Sequence, residues 1–302
     1  MAWRKLGRVF AGAEIGDWSV GYAAVPLAVP LDDGHVRVIF SARDPLQRSR
    51  PAALVLDMAR LEVVALDEAP LLSLGALGAF DDSGVMPCWQ VAHEGRHYLY
   101  YIGWNRSVTV PFRNAIGLAV SADGGATYSR AFAGPVIDRS RDEPYFCASC
   151  CVLVEAGRWR NWYLSCTGWE GTDGAPRHHY HIKYAESDDG IAWRRDGRVA
   201  IDYASVKEYA ISRPCVRHGP DGYRMWFSAR GEGYRIYEAG SPDGLDWARR
   251  QDPVLDVSGT GWDAEMVCYP FVFDHGGGRY MLYNGNGYGK TGFGLALWEE
   301  EP

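Results

Sequence analysis

Five copies of one pattern, recurring about every sixty residues, constrain this sequence more than any other feature. Each copy opens with an apolar run and a glycine-containing turn: PLDDGH, AHEGRH, VEAGRW, RHGPDGY and FDHGGGR. An aromatic-rich segment follows, at Val36–Arg43, Tyr98–Trp104, Trp162–Trp169, Arg224–Arg230 and Tyr280–Asn286. Three copies continue with an alternating segment (IGLAV, IKYAE, IYEAG) and a Ser-x-Asp-Gly turn that closes on Tyr128, Trp193 or Trp247. Alternation punctuated by Asp-Gly turns reads as strands and hairpins. Helical periodicity and helix caps are largely missing. A four-stranded sheet repeated radially is a propeller blade. The sequence therefore predicts an all-β chain, one five-bladed β-propeller domain, with blades near 18–66, 83–137, 144–201, 209–256 and 266–299. The last copy is short, and residues 3–10 are expected to supply its outer strand, which would leave no exposed edge. A β-sandwich also has many short strands but predicts no repeat of this length.

The 302 residues are 47% apolar, enough for a large core, and carry a formal net charge of -7. With no basic run, nucleic acid is not an expected partner; the acidic balance leans toward a neutral or cationic ligand. No apolar stretch of about 18 residues exists, so no membrane partner is expected. The N-terminal segment lacks a signal peptide's apolar region, which points to a cytoplasmic protein. Seven cysteines include Cys147-x-x-Cys150, followed at once by Cys151. A redox motif of that kind opens a helix, whereas this one lies in a strand-like run, so buried, reduced thiols are expected. His178, His179 and His181 form a cluster, of which residues 178 and 179 fall in a loop before a third strand, and no matching ligand set accompanies them. No metal and no cofactor are expected. The twelve Trp and eighteen Tyr suit sheet packing, with a few left to stack on a sugar ring.

Carboxylates follow the repeat. Asp17, Asp82, Glu143, Glu208 and Glu265 stand just before the first strand of each copy, spaced by 65, 61, 65 and 57 residues. Asp81 and Asp263 lie close enough to share that role. Gathered at a central axis, such acids would raise one another's pKa, giving a protonated acid beside an ionised base. Glycoside cleavage uses that pairing. The ends of the second strands offer binding partners: Arg43, Asp44, Trp104, Trp169, Arg230 and Asn284. Arg213 lies on the first strand of the fourth copy, directly before Pro214. Arg43 and Arg230 fit either ligand binding or bracing between blades.

The phrases SARD (41–44), FDDSGVMP (80–87), DEPYF (142–146), SRPCV (212–216), RMWFSARG (224–231), WDAEM (262–266) and YNGNGYG (283–289) resemble the five-bladed glycosidase superfamily. That superfamily includes glycoside hydrolase families 32, 43, 62, 68 and 130, and the likeness is nearest to glycosidase-like proteins encoded among polysaccharide or secondary-metabolite genes. The resemblance spans nearly the whole chain. It implies Glu143 as the general acid and Asp82 as the residue that tunes it. The base would be Asp17, or else Glu208 or Glu265, since Asp17 stands further from its strand proline, Pro26, than the other acids do from theirs. The sucrose-binding box of family 32 is absent. The expected activity is hydrolysis of a small glycoside or sugar-bearing metabolite. The alternatives are a non-hydrolytic biosynthetic isomerase or cyclase, a phosphate-dependent phosphorylase, and a sugar-binding protein without chemistry.

Overall fold

The computed structural model describes residues 2–171 and 176–299. Its long strands form five antiparallel meanders of four. The first comprises Ala24–Pro30, His35–Arg43, Ser49–Asp57 and Glu62–Leu66. The second comprises Gly84–His93, Arg96–Arg106, Phe112–Ser121 and Ser129–Arg130. The third comprises Cys147–Glu155, Arg158–Glu170, Arg177–Ser187 and Val199–Ile201. The fourth comprises Ala210–Gly219, Gly222–Arg230, Tyr234–Ser241 and Ala248–Arg249. The fifth joins both ends of the chain: Cys268–His275, Gly278–Asn284 and Phe293–Glu299 are completed by Ala2–Phe10. There Trp3 lies opposite Trp298 and Phe10 opposite Phe293. The five first strands neighbour one another in a closed cycle, the fifth returning to the first.

The second strands show why the aromatic segments do not alternate cleanly. Val38–Ala42 is buried at every residue, because both faces of the sheet are covered. Strands buried on both faces read as continuous apolar runs. Large rings fill the space between neighbouring sheets. Trp159 of the third meander meets Tyr98 of the second at 5.2 Å. Trp226 of the fourth meets Trp3 of the fifth at 6.0 Å, and Phe10 of the fifth meets Phe40 of the first at 5.3 Å.

The repeated Ser-x-Asp-Gly turns do more than reverse the chain. The Ser187 hydroxyl accepts the Gly190 N–H at 3.0 Å, and the Ser241 hydroxyl accepts the Gly244 N–H at 2.8 Å. Asp189 and Asp243 accept the next backbone N–H groups. Both glycines adopt left-handed φ, 72° and 75°, a conformation that favours glycine. Their carbonyls then accept hydrogen bonds from the preceding meander, Gly190 from Tyr100 Oη at 2.8 Å and Gly244 from Trp162 Nε1 at 2.9 Å. These two turns each join two sheets.

Two local expectations need correction. The first copy's leading strand does not start near residue 18, directly after Asp17: Glu14–Ile15 and Ser19–Val20 pair as a separate short hairpin, and the strand begins at Ala24. His178 and His179 lie on the strand Arg177–Ser187, not in a loop before it. All seven cysteines are free and buried. Among the described residues no helix is long and apolar enough to cross a membrane.

Candidate functional site

Every first strand carries a register break: between Ala24 and Leu27, Pro87 and Trp89, Ala148 and Cys150, Ser212 and Cys215, and Cys268 and Phe271. A bulge leaves a residue unpaired and re-aims its side chain. Val25, Ser149, Arg213 and Tyr269 sit at these breaks with φ of 49°, 23°, 53° and 59°, a region non-glycine residues seldom adopt. Val25, Ser149 and Tyr269 line a cavity of about 270 Å³ to which all five meanders contribute. That volume is near the lower end, about 300 Å³, of small-molecule sites.

The walls are aromatic. Trp104, Phe112, Phe146, His178, Tyr180 and Tyr288 face the cavity. His178 stacks on Tyr180, with ring centres 4.7 Å apart. Burial, then the Arg230 and His179 charges, lower the His178 pKa to about 4, so its imidazole is uncharged at neutral pH. Two guanidinium groups enter, Arg43 from the first meander and Arg230 from the fourth. Arg43 lies 4.5 Å from the Tyr22 ring centre. Arg230 sits among Tyr209, Tyr234 and Tyr288 at 5.4, 5.7 and 5.7 Å. No Asp or Glu among the described residues lines this cavity.

Trp104 owes its position to Gly84, its cross-strand partner. A Cβ on Gly84 would lie 1.7 Å from Trp104 Nε1, so the indole occupies the space a side chain would need. Gly84→Ala is expected to tilt the indole and weaken ligand binding roughly tenfold, the ~1.4 kcal/mol of one disturbed aromatic contact. Calorimetric titration, with tryptophan fluorescence reporting the tilt, checks this.

The periodic acids have a different place. Asp81 is buried, accepts Tyr101 Oη at 3.1 Å, and pairs with Arg130 at 2.7 Å. Glu143 is buried too: Oε1 accepts Tyr163 Oη at 2.8 Å and Oε2 accepts Ser165 Oγ at 2.9 Å. Lys183 and Arg195 each stand 3.8 Å from it. Asp263 accepts Lys5 Nζ at 2.6 Å and Tyr283 Oη at 3.3 Å. Glu208 takes two hydrogen bonds from Arg249, at 2.6 and 2.5 Å, with the Arg249 guanidinium over Phe227. Four meanders thus share one clasp: a carboxylate before the first strand, an aromatic residue on the second, and a cation from or beside the outer strands. Burial, then the adjacent Glu143, push the Tyr163 phenol well above its ordinary pKa, so it stays a donor.

None of the five periodic acids lines the axial cavity, and Glu143 and Glu208 are held inside their own sheets. Asp17 sits exposed in the added Glu14–Val20 hairpin. Glu265 is exposed, and its backbone, not its carboxylate, is fastened, through Asn286 and Arg235. Asp82 borders two grooves, the larger about 440 Å³, which meets the central cavity at Asn114. Burial opposes its ionisation, but hydrogen bonds from Asn105, Ser83 and the Gly78 N–H outweigh it and hold its pKa below the usual value.

The binding candidates divide as well. Arg43, Trp104 and Arg230 line the cavity, and Trp169 backs it through Phe112, Phe146 and His178. Asn284 does not reach a ligand: its amide is spent on Val25 N, Ala23 O and Gly292 O, tying the fifth meander to the first. Asp44 caps its own turn, accepting the Leu46 and Arg48 N–H groups and pairing with Arg48. Arg213 is fully buried behind the cavity and donates to Pro87 O, Val25 O and Pro26 O at 3.1, 3.3 and 3.0 Å. Tyr288, Tyr269, His178 and Ser149 were not singled out from sequence as ligand contacts. Among the described residues no cluster of His, Cys, Asp and Glu could hold a metal ion.

The architecture is that of the propeller glycosidases. A glycosyl hydrolase from Bacteroides ovatus superposes with a TM-score of 0.73 at 14% identity, over 100% of this chain and 94% of that one. A thermostable family-43 glycoside hydrolase gives 0.70 at 15%, over 97% and 94%. The family-32 β-fructofuranosidase BmSUC1 of Bombyx mori gives 0.62 at 12%, over 97% of this chain and 61% of that one. No family model matches the chain. The chain belongs to the family of two Mycobacterium tuberculosis proteins, the uncharacterized proteins MT1551 and Rv1502, each 44% identical over 99% of this chain and 100% of its own length.

Proposed function

We propose that this chain is a single-domain, five-bladed propeller that holds a small sugar-like ligand in its axial cavity and does not cleave it there by the two-carboxylate route. The carrying observation is the lining itself: aromatic faces and two guanidinium groups from five sheets, with no carboxylate among the described residues. Glycosidase chemistry needs two carboxyl groups flanking the scissile bond, about 5–10 Å apart. The buried acids are already occupied by hydroxyl groups and cations. The strained residues at the cavity floor support a binding role, since strain of this kind collects at ligand sites. The structural relatives are glycoside hydrolases, which makes a sugar the natural occupant, though a fold does not fix the chemistry.

A panel of pyranosides and furanosides, titrated by ligand-observed NMR and then incubated in ¹⁸O water, tests the proposal. Saturable binding without ¹⁸O in any product is expected. Incorporation of ¹⁸O that stops in Glu143→Gln or Glu208→Gln, with stability unchanged, would sink it.

A second reading is favoured by Asp82. Its ionised carboxylate borders the groove that meets the cavity at Asn114, where it could activate water against a ligand bound across both spaces. On that reading Asp82→Asn abolishes ¹⁸O incorporation while sugar binding in the axial cavity persists. Incorporation that survives Asp82→Asn removes this reading.

A further inference from the structure

Resting on the axial cavity as a sugar site, we infer that its ligand carries an oxyanion group, a carboxylate or a phosphate, received by Arg43 and Arg230.

The charge bookkeeping of the molecule points there. The less exposed arginines of the sheets are mostly matched to acids: Arg130 to Asp81, Arg249 to Glu208, Arg160 to Glu155 and Arg37 to Asp67; Arg8, Arg96, Arg106 and Arg113 have no acid partner among the described residues but are exposed to solvent. Arg213 has three carbonyl acceptors. Arg43 and Arg230 form no ion pair with any carboxylate among the described residues, in a chain where acids exceed Lys and Arg by 38 to 31. They are also the two charged side chains of the cavity lining.

Both are positioned without using up their donors. Aromatic rings hold the guanidinium planes, Tyr22 under Arg43 and three tyrosines around Arg230. Such contacts attract the cation but leave its N–H groups free. Arg230 Nε is buried with no hydrogen-bond partner. A planar fork of N–H groups matches the geometry of carboxylate and phosphate oxygens. Walls of Trp, Phe and Tyr partly shield the two guanidinium groups from solvent, which strengthens their attraction for an anion. A neutral sugar would leave both charges without a counter-ion.

The local sign is thus opposite to the global one. The protein is acidic as a whole, and its cavity is positive. Recognition then rests on the pocket, because the outer surface does not draw anions in.

The test uses the full chain and four probes: methyl glucuronide, glucose 6-phosphate, methyl glucoside and inorganic phosphate, titrated by calorimetry at low and high salt. At least one of the two anionic sugars is expected to bind about tenfold or more tighter than methyl glucoside, with the gap narrowing in salt. Which of the two does so separates carboxylate from phosphate recognition. Arg230→Gln and, independently, Arg43→Gln are expected to remove the preference for the anionic sugar over methyl glucoside; Arg230→Lys should restore part of it. Thermal melts of each variant confirm that it is folded. Equal affinity for charged and neutral sugars overturns the inference and leaves the sugar site standing. Phosphate binding lost in Arg230→Gln, with no sugar bound at all, sinks the sugar reading and keeps an anion site. No binding of any probe overturns both.

Discussion

Glu143→Ala is expected to lower the unfolding free energy by about 3–5 kcal/mol, the scale of a broken buried charge pair. The carboxylate is buried and receives two hydroxyl donors, Tyr163 and Ser165. Lys183 and Arg195, each 3.8 Å away and largely buried, are balanced by it. Alanine leaves two hydroxyls without an acceptor and two cations without a counter-charge. Cys147, whose thiol lies 3.7 Å from Oε2, also gains empty space. A melting midpoint lower by roughly 10 °C is the visible consequence. Glu143→Gln keeps an acceptor for the rotatable hydroxyls and loses only the charge, so about 1–2 kcal/mol is expected. Urea denaturation of both variants beside sugar titrations reads the outcome. Stability should fall and ligand affinity should hold. A Glu143→Gln protein as stable as the parent, yet unable to turn over a glycoside, would return Glu143 to the general-acid role its position in the repeat suggests.

The periodicity of the acids fits two readings, a catalytic set and a structural clasp. Glu143 and Glu208 sit in the clasp that four sheets share, whereas Asp17, Asp82 and Glu265 stand outside it. The signal separating the two readings lies in the sequence: Asp81, Glu143 and Asp263 each precede a second-strand tyrosine by twenty residues. In the fourth meander the aromatic residue is Phe227, nineteen residues on, and Arg249 and the Ala204 N–H satisfy Glu208 instead. A catalytic set has no reason to track a packing tyrosine. The fold was legible because every sheet must present equivalent faces to two neighbours and so repeats its aromatic strand, and three of the five repeat the Ser-x-Asp-Gly turn as well.

The cavity was harder to read. Its floor is made by bulges, and bulges depend on five strands crowding one another. Prolines gave a partial warning: Pro26, Pro87, Pro214 and Pro270 sit inside runs that otherwise read as central strands, where a residue without an N–H marks a break in the ladder. Ser149 carries no such mark. Asp17 was misplaced because Val20 and Ala24 both open apolar segments, and only the pairing of Glu14–Ile15 with Ser19–Val20 separates them. Net charge sums a surface and is silent on a pocket, where Arg43 and Arg230 are the charged side chains.

Arg213→Ala is expected to cost about 3–5 kcal/mol while leaving the cavity's binding groups in place, the scale of a large buried truncation. The side chain is fully buried, and its guanidinium crosses from the fourth meander to carbonyls of the first and second. It bridges strands distant in sequence at the point where all five converge. Burial holds its pKa below the ordinary arginine value, since no carboxylate offsets the loss of water. Two effects therefore oppose each other on truncation. Removing the charge relieves its desolvation, while a large void opens and three carbonyls lose a donor. Arg213→Met separates them: it fills most of the volume, removes the charge and still leaves the carbonyls without their donor. If packing dominates, methionine should cost under about 2 kcal/mol, as hydrophobic replacements of buried ions often do. If the hydrogen bonds across the axis dominate, both variants should be equally unstable. In either case the ligand titration should follow Arg43 and Arg230, not Arg213. A stable Arg213→Ala protein that no longer binds the ligand would mean that this guanidinium reaches the cavity after all.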